Sequence, residues 1–272
     1  MTWALWGRQI GAIVRLESRK NFLGKRAVLM YLLASLPLML VIAMVAFPPT
    51  ARRLAEPGFG QVLFAYLYEG LILRAVVFFG CAWIFMNLFR GEIVDRSLHY
   101  YLLAAVRREV LIAGKFLSGL LAAVALFGGA TLACLLVSYI PRGGSATAQH
   151  LFDGPGLGHV AGYFGVTALA CLGYGAAFLA IGLVFRNPIF PALAVYGWEF
   201  VNFLLPPILK KVSVIHYLQS LSPVPVSEGP FAILAEPTPA WLAIPGFLLT
   251  TAAVLAFAAW RIRRLEIRYG SE

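Results

Sequence analysis

Three ionisable side chains stand out because they interrupt long apolar stretches of the sequence. Glu69 and Arg74 lie in LYEGLILRAVVFF, and Glu199 lies in AVYGWEFVNF. An ionised group at the centre of a membrane helix costs about 3 kcal/mol on insertion scales, so such groups usually face the interior of a helix bundle. They can pair with one another or line a path for a polar substrate, and the sequence leaves both alternatives open.

The spacing of these residues favours a pair between helices. Glu69 and Arg74 are five residues apart, whereas ion pairs on one α-helix join residues three or four apart. We therefore predict that Arg74 pairs with Glu199, and we take all three residues as candidates for an intramembrane polar site or substrate pathway.

A second group of polar residues occupies the segment 90–110, RGEIVDRSLHYYLLAAVRREV, between two apolar runs. Glu92 and Arg96, and Asp95 and His99, are four residues apart, as in helical side-chain pairs. An apolar stripe forms another face and consists of Val94, Leu98, Tyr101, Leu102 and Ala105. The pattern predicts a short surface helix that either lies on the membrane or enters a groove on a soluble partner.

Signatures of catalysis are missing from the sequence. It contains no HExxH, GxSxG or GxxxxGK[ST] motif, so it lacks the P-loop with which ATPases hold nucleotide. Neither the scattered histidines nor the cysteines have metal-ligand spacing; these residues are His99, His150, His159, His216, Cys81, Cys134 and Cys171. We expect no enzyme activity, cofactor, metal or disulfide in this chain.

The elements that position these residues are predicted from composition. The chain has 272 residues, of which 61% are hydrophobic and 12% are charged, a balance typical of multi-span membrane proteins. A membrane helix needs roughly 20 apolar residues, and we identify six such runs, at 27–47, 70–89, 111–140, 160–185, 189–209 and 240–260. The predicted fold is a single all-α transmembrane domain over residues 1–272, with a helix-capable stretch at 212–221 inside the loop 210–239.

The distribution of Lys and Arg predicts the orientation. Counting Lys115, at the start of run three, with the segment before it, sixteen lie in the segments before the first run, between runs two and three, between runs four and five, and at the C-terminus. Five lie in the other connections. Because cytoplasmic loops retain basic residues, both termini and the segment 91–109 should be cytoplasmic, and the loop 210–239 extracytoplasmic. This bias also accounts for the net charge of +10, so we expect no nucleic-acid partner.

The first 26 residues predict an interfacial helix. Trp3, Trp6, Ile10, Ile13 and Val14 fall on one helical stripe, with the tryptophans at the depth of the lipid headgroups as anchors. The segment has no cleavable signal-peptide pattern. Whether this helix only anchors the chain in membrane lipids or also contacts a partner is left open.

In these features the sequence resembles the ABC-2 permeases, the membrane subunits of one class of ATP-binding-cassette exporters. The resemblance covers nearly the whole chain and is most specific after the second run. There Glu92, a short helical segment at 97–105, the turn Val106-Arg107-Arg108-Glu109 and Gly114-Lys115 follow in order. The proline that often precedes the arginine turn in this family is replaced by Ala105-Val106.

The resemblance implies a function in which the segment 91–109 is a coupling helix docked on a separate ATPase subunit. The residues that it places at this contact are Glu92, Asp95, Arg96, His99, Tyr100, Arg107 and Arg108. It further implies a second permease copy or paralogue, ATP and Mg²⁺ bound on the partner subunit, and a multi-pass location in the inner (cytoplasmic) membrane of the cell. The alternatives are an ATP-independent transporter or channel and a membrane-assembly scaffold.

Overall fold

The computed structural model describes residues 3–24, 27–56, 58–94, 106–185, 187–226 and 238–264. Throughout these ranges the regular elements are helices, as predicted. Five stretches are long and apolar enough to cross a membrane: Ala27–Ala46, Phe59–Phe89, Arg108–Arg142, Gly156–Val184 and Ala240–Arg263. The architecture is that of an all-helical, multi-pass membrane protein.

The described residues of the first half of the chain form seven α-helices. They are α1 Trp3–Leu23, α2 Ala27–Ala46, α3 Pro48–Ala55, α4 Phe59–Leu67, α5 Phe78–Val94, α6 Arg108–Ala123 and α7 Gly129–Tyr139. Two π-helical stretches, Tyr68–Val77 and Val124–Gly128, join α4 to α5 and α6 to α7 into two long continuous rods. The first π-helical stretch carries both Glu69 and Arg74, and π-turns are frequent at functional sites.

Six α-helices are formed by the part of the second half that the structure describes. They are α8 Gly144–Phe152, α9 Gly156–Val184, α10 Ile189–Phe200, α11 Pro207–Lys210, α12 Val214–Ser220 and α13 Ala240–Arg263. Helix α9 is the most buried of the five long stretches and packs against α5 and α13. A Cβ atom on Gly182 would lie 3.1 Å from the backbone of Met86, so glycine permits this close contact of α9 with α5.

The fifth predicted run differs from its expected form. Instead of one helix over 189–209, α10 ends at Phe200, a 3-10 turn follows at Val201–Leu204, and α11 is a separate short helix. Pro206 and Pro207 explain the break, because proline removes a backbone donor and holds the preceding residue extended. Leu205 has the extended ψ of 148°. This apolar helix is therefore shorter than the five long stretches.

The long helices define two ends of the molecule. At the end that we call the basic end, α1, the start of α6 and the end of α13 meet. At the opposite end, the far end, α3 packs against the turn Ile140–Arg142, and α8 packs against the same turn and against α9. The stretch 212–221 does contain a helix, α12, and its residues Ile215 and Leu218 are buried rather than free in a loop.

Candidate functional site: a buried polar centre and a basic-end junction

The Glu199 carboxylate is the hub of a buried polar centre in the bundle. Its side chain accepts hydrogen bonds from Ser213 Oγ at 2.8 Å, from the backbone N–H groups of Val214 and Ile215 at 2.9 Å each, and from the Tyr174 hydroxyl at 3.2 Å. Glu199 is only 6% exposed. Because a buried carboxylate is tolerated only when its oxygens are well bonded, these four donors account for its position.

The position of Arg74 corrects the predicted ion pair. Its Nη1 donates to the backbone oxygen of Glu199 at 3.2 Å and to that of Phe200 at 3.5 Å, not to the Glu199 carboxylate. The physical reason is that α10 ends here, which leaves its last carbonyl groups without helical donors and attractive to a cation. The carboxylate, meanwhile, is occupied by the first N–H groups of α12.

Glu69 joins the same polar centre from the π-helical stretch. It is 5% exposed and accepts a hydrogen bond from Gln219 Nε2 of α12 at 3.0 Å. The structure thus brings all three predicted intramembrane residues to the segment α10–α12. Their bonds tie the π-helical stretch to α10 and α12, so this geometry supports a mechanical link more directly than a charged substrate path.

Several partners in this centre were not among the predicted site residues. Ser213 precedes α12 with extended backbone, φ −90° and ψ 140°, and serine at that position is a common start signal for a helix. That signal was available in the sequence. No signal in the sequence identified Tyr174 or Gln219, because their partners lie 25 and 150 residues away along the chain.

The basic-end junction contains a second buried pair, Glu17 with Lys115. Lys115 Nζ donates to Glu17 Oε1 at 2.9 Å and to the backbone oxygen of Leu88 at 3.2 Å. Lys115 is 0% exposed and Glu17 is 4% exposed. One lysine of α6 is therefore bonded to both α1 and α5.

Close packing holds α1 along α6 beside this pair. A Cβ atom on Gly114 would lie 2.8 Å from Ile13 Cγ2, so the glycine makes room for the apolar stripe of α1. Ser118 Oγ accepts a hydrogen bond from Asn21 Nδ2 at 3.2 Å. Part of the stripe predicted to face lipid thus faces protein, and Glu17 was absent from the predicted site residues.

The two arginines of the predicted coupling turn make contacts within the chain. Arg108 Nη1 donates to the backbone oxygens of Ile262 at 3.0 Å and Arg263 at 2.9 Å, and so caps the end of α13. The Arg107 guanidinium lies 5.3 Å from the ring centroid of Trp6. Trp3, the other predicted anchor, is 84% exposed.

The side chains of the remaining predicted coupling residues lie outside the described part of the chain. Glu92 lies in α5 by its backbone, but its side chain is outside the described part of the chain. Asp95, Arg96, His99 and Tyr100 also lie outside the described residues. Their contact with an ATPase stays a prediction.

Comparison with known proteins identified no relative of this chain. No family model, curated protein or solved structure matches the chain. The functional proposal therefore depends on the residues of this chain.

Proposed function

We propose that this chain is the permease subunit of an ATP-driven exporter of the ABC-2 type, working with separate ATPase subunits that bind ATP and Mg²⁺. It would lie in the cytoplasmic membrane, pair with a second permease copy or a paralogue, and form the substrate path. The observation that supports the proposal is the basic-end junction, where Arg108 of the proposed docking segment and Lys115 just after it bond to three other helices.

The apolar helices and the distribution of charge support the membrane orientation. Arg107 and Arg108 share the basic end with the helices that carry Arg8, Arg15 and Arg263. Because basic residues are retained on the cytoplasmic side, we assign this end and both termini to the cytoplasm.

The junction also supplies a mechanical basis for coupling. Residues 95–105 connect α5 to α6, and a partner docked there would pull directly on the start of α6. Lys115 would pass a displacement of α6 to α1 and to the Leu88 carbonyl of α5, and Arg108 would pass it to the end of α13. A partner with different contacts in its ATP-bound and ATP-free states can thereby bias the packing of the bundle.

We assign the substrate path to the region of α2, the π-helical stretch and α10, the first, second and fifth predicted spans. The charged groups next to this region are already bonded to protein. Arg74 donates to a backbone oxygen of α10, and the Glu199 carboxylate accepts from a backbone N–H of α12. Exposed side chains of α2, including Leu32 and Met39, are apolar. Such a path suits an apolar or amphiphilic substrate.

The docking proposal is tested by co-purification from native membranes. A tagged chain should bring down a P-loop ATPase, identified by mass spectrometry and by ATP hydrolysis of the eluted complex. The triple substitution Arg96→Glu, His99→Ala and Tyr100→Ala should reduce the recovered ATPase about tenfold or more, the effect of losing roughly 1.4 kcal/mol of interface energy.

The matched control is Arg15→Glu, which also reverses a positive charge. Arg15 is exposed on α1 and lies outside the proposed docking segment. The control should retain the ATPase. Absence of any ATPase from the wild-type eluate, or equal recovery with the triple variant, would contradict the proposal.

A further inference from the structure

A cavity of about 430 Å³ opens at the far end of the molecule, away from the polar centre and the basic-end junction. Its lining comes from α3, α4, the turn Ile140–Arg142 and α8 with the residues that follow it. The lining residues are Ala55, Gln61, Arg142, Ala146, Gln149, His150, Asp153 and Gly154. This volume falls in the range of sites for small molecules, roughly 300 to 1,000 Å³.

Two opposite charges line this cavity without pairing. Arg142 and Asp153 form no salt bridge with each other or with any other residue in the described part of the chain. Arg142 Nε and His150 Nε2 are buried and have no hydrogen-bond partner among the described residues. Since buried polar atoms in proteins are almost always bonded, Arg142 and His150, which both line the cavity, have hydrogen-bonding capacity that the described residues leave unused.

Aromatic packing fixes the cationic wall in place. The Arg142 guanidinium lies 4.8 Å from the ring centroid of Tyr139, and the Tyr139 ring meets the His150 ring edge-on at 5.3 Å. Tyr139 is 2% exposed, so this stack is anchored in the core. A positioned guanidinium loses little side-chain freedom when it binds an anion.

The surroundings of the imidazole beside the guanidinium disfavour its charged form. Burial, the positive charge of Arg142 and the nearby His159 lower the pKa of His150 below its ordinary value. A neutral imidazole carries one N–H donor and one acceptor. His150 can therefore add a hydrogen bond to an anionic oxygen without adding a second positive charge.

We infer that this cavity binds a zwitterionic phosphodiester headgroup of the phosphoethanolamine type, with the phosphate at Arg142 and His150 and the ammonium at Asp153. Guanidinium groups bind phosphate oxygens in paired hydrogen bonds, and a carboxylate accepts from an ammonium. The exposed Asp153 repels a dianion and has no partner in a simple anion. Only a ligand that carries both a negative and a positive charge can pair with both Arg142 and Asp153.

This inference is independent of the ATPase proposal, because the site lies at the other end of the bundle. The probe is glycerophosphoethanolamine, titrated by calorimetry into delipidated protein in detergent. Glycerophosphoglycerol keeps the phosphodiester and replaces the ammonium by a hydroxyl, so it should bind about tenfold more weakly, equivalent to roughly 1.4 kcal/mol.

Two substitutions test the contributions of Arg142 and Asp153 separately. Arg142→Gln should abolish binding of both esters, whereas Asp153→Asn should weaken only glycerophosphoethanolamine, to the level of glycerophosphoglycerol. Asp153 is exposed, so its variant remains informative even if Arg142→Gln fails to fold. The control Arg52→Gln removes an exposed charge of α3 that does not line the cavity, and it should bind like wild type.

The source of the headgroup is decided in nanodiscs. If a bilayer lipid supplies it, nanodiscs containing phosphatidylethanolamine should lower the apparent affinity for glycerophosphoethanolamine relative to nanodiscs of phosphatidylglycerol alone. Equal affinities would assign the site to a soluble phosphodiester. Absence of binding by wild type, or unchanged binding in Arg142→Gln or Asp153→Asn, would overturn the inference.

Discussion

At the scale of single residues, Lys115 and Glu17 place opposite charges in a part of the molecule closed to solvent. Glu17 also pairs with Lys20 at 3.4 Å. Removing one member of a buried pair nevertheless typically costs about 3 to 5 kcal/mol, because the remaining charge loses its closest compensation. Lys115 also bonds to the Leu88 carbonyl. The pair therefore holds α1, α5 and α6 together at the basic end.

The substitution Glu17→Gln tests this role. It removes the negative charge with little change in shape, and should lower the Tm of the purified protein by roughly 5 to 10 °C. The control Arg15→Gln changes an exposed charge on the same helix and should leave the Tm near that of wild type. Equal thermal unfolding curves for the two variants would show that the pair does not stabilise the junction.

At the scale of elements, the break after α10 and the position of α12 determine the polar centre. Glu199 caps α12 with its carboxylate, and Arg74 caps α10 with its guanidinium. These two caps replace the direct ion pair predicted from the sequence. The bundle gains a connection from the π-helical stretch through α10 to α12.

The substitution Glu199→Gln tests the first cap. An amide cannot accept at both former oxygen positions, so at least one of the N–H groups of Val214 and Ile215 loses its partner. Hydrogen exchange at these amides should accelerate about tenfold for each 1.4 kcal/mol lost. Glu56→Gln, an exposed change at the end of α3, should leave them unchanged.

A double charge reversal distinguishes the two helix caps from a direct ion pair between Arg74 and Glu199. The double variant Arg74→Glu with Glu199→Arg should recover no protection at Val214 and Ile215, because the carboxylate would no longer face their N–H groups. Recovery of wild-type exchange would instead support the direct pair and contradict the capping geometry.

The elements were predictable to the extent that they depend on local pattern. Continuous apolar runs located the long helices, and the prolines at 206 and 207 carried the signal for the break in the fifth run. Glu17 could not be identified in this way, because its role depends on Lys115, 98 residues away. Arg142 and His150 were also missed as a site, since their shared cavity arises only when α3 and α8 both pack against the turn Ile140–Arg142.

At the scale of the whole molecule, three polar regions lie along one helical bundle. The basic-end junction ties α1, α5, α6 and α13 together, the polar centre ties the π-helical stretch to α10 and α12, and the far-end cavity presents Arg142 and Asp153. Long rods such as Arg108–Arg142 connect the two ends. This layout suits a membrane subunit that receives motion at one end and responds along its length.

We propose that the chain works as one part of an assembly with separate ATPases. Native mass spectrometry of the complex extracted from its own membranes tests this most directly. We predict two permease chains, each of 29.6 kDa if the pair is identical, together with two P-loop ATPase subunits. A particle that contains this chain without any ATPase, while still active in transport, would rule out this assembly.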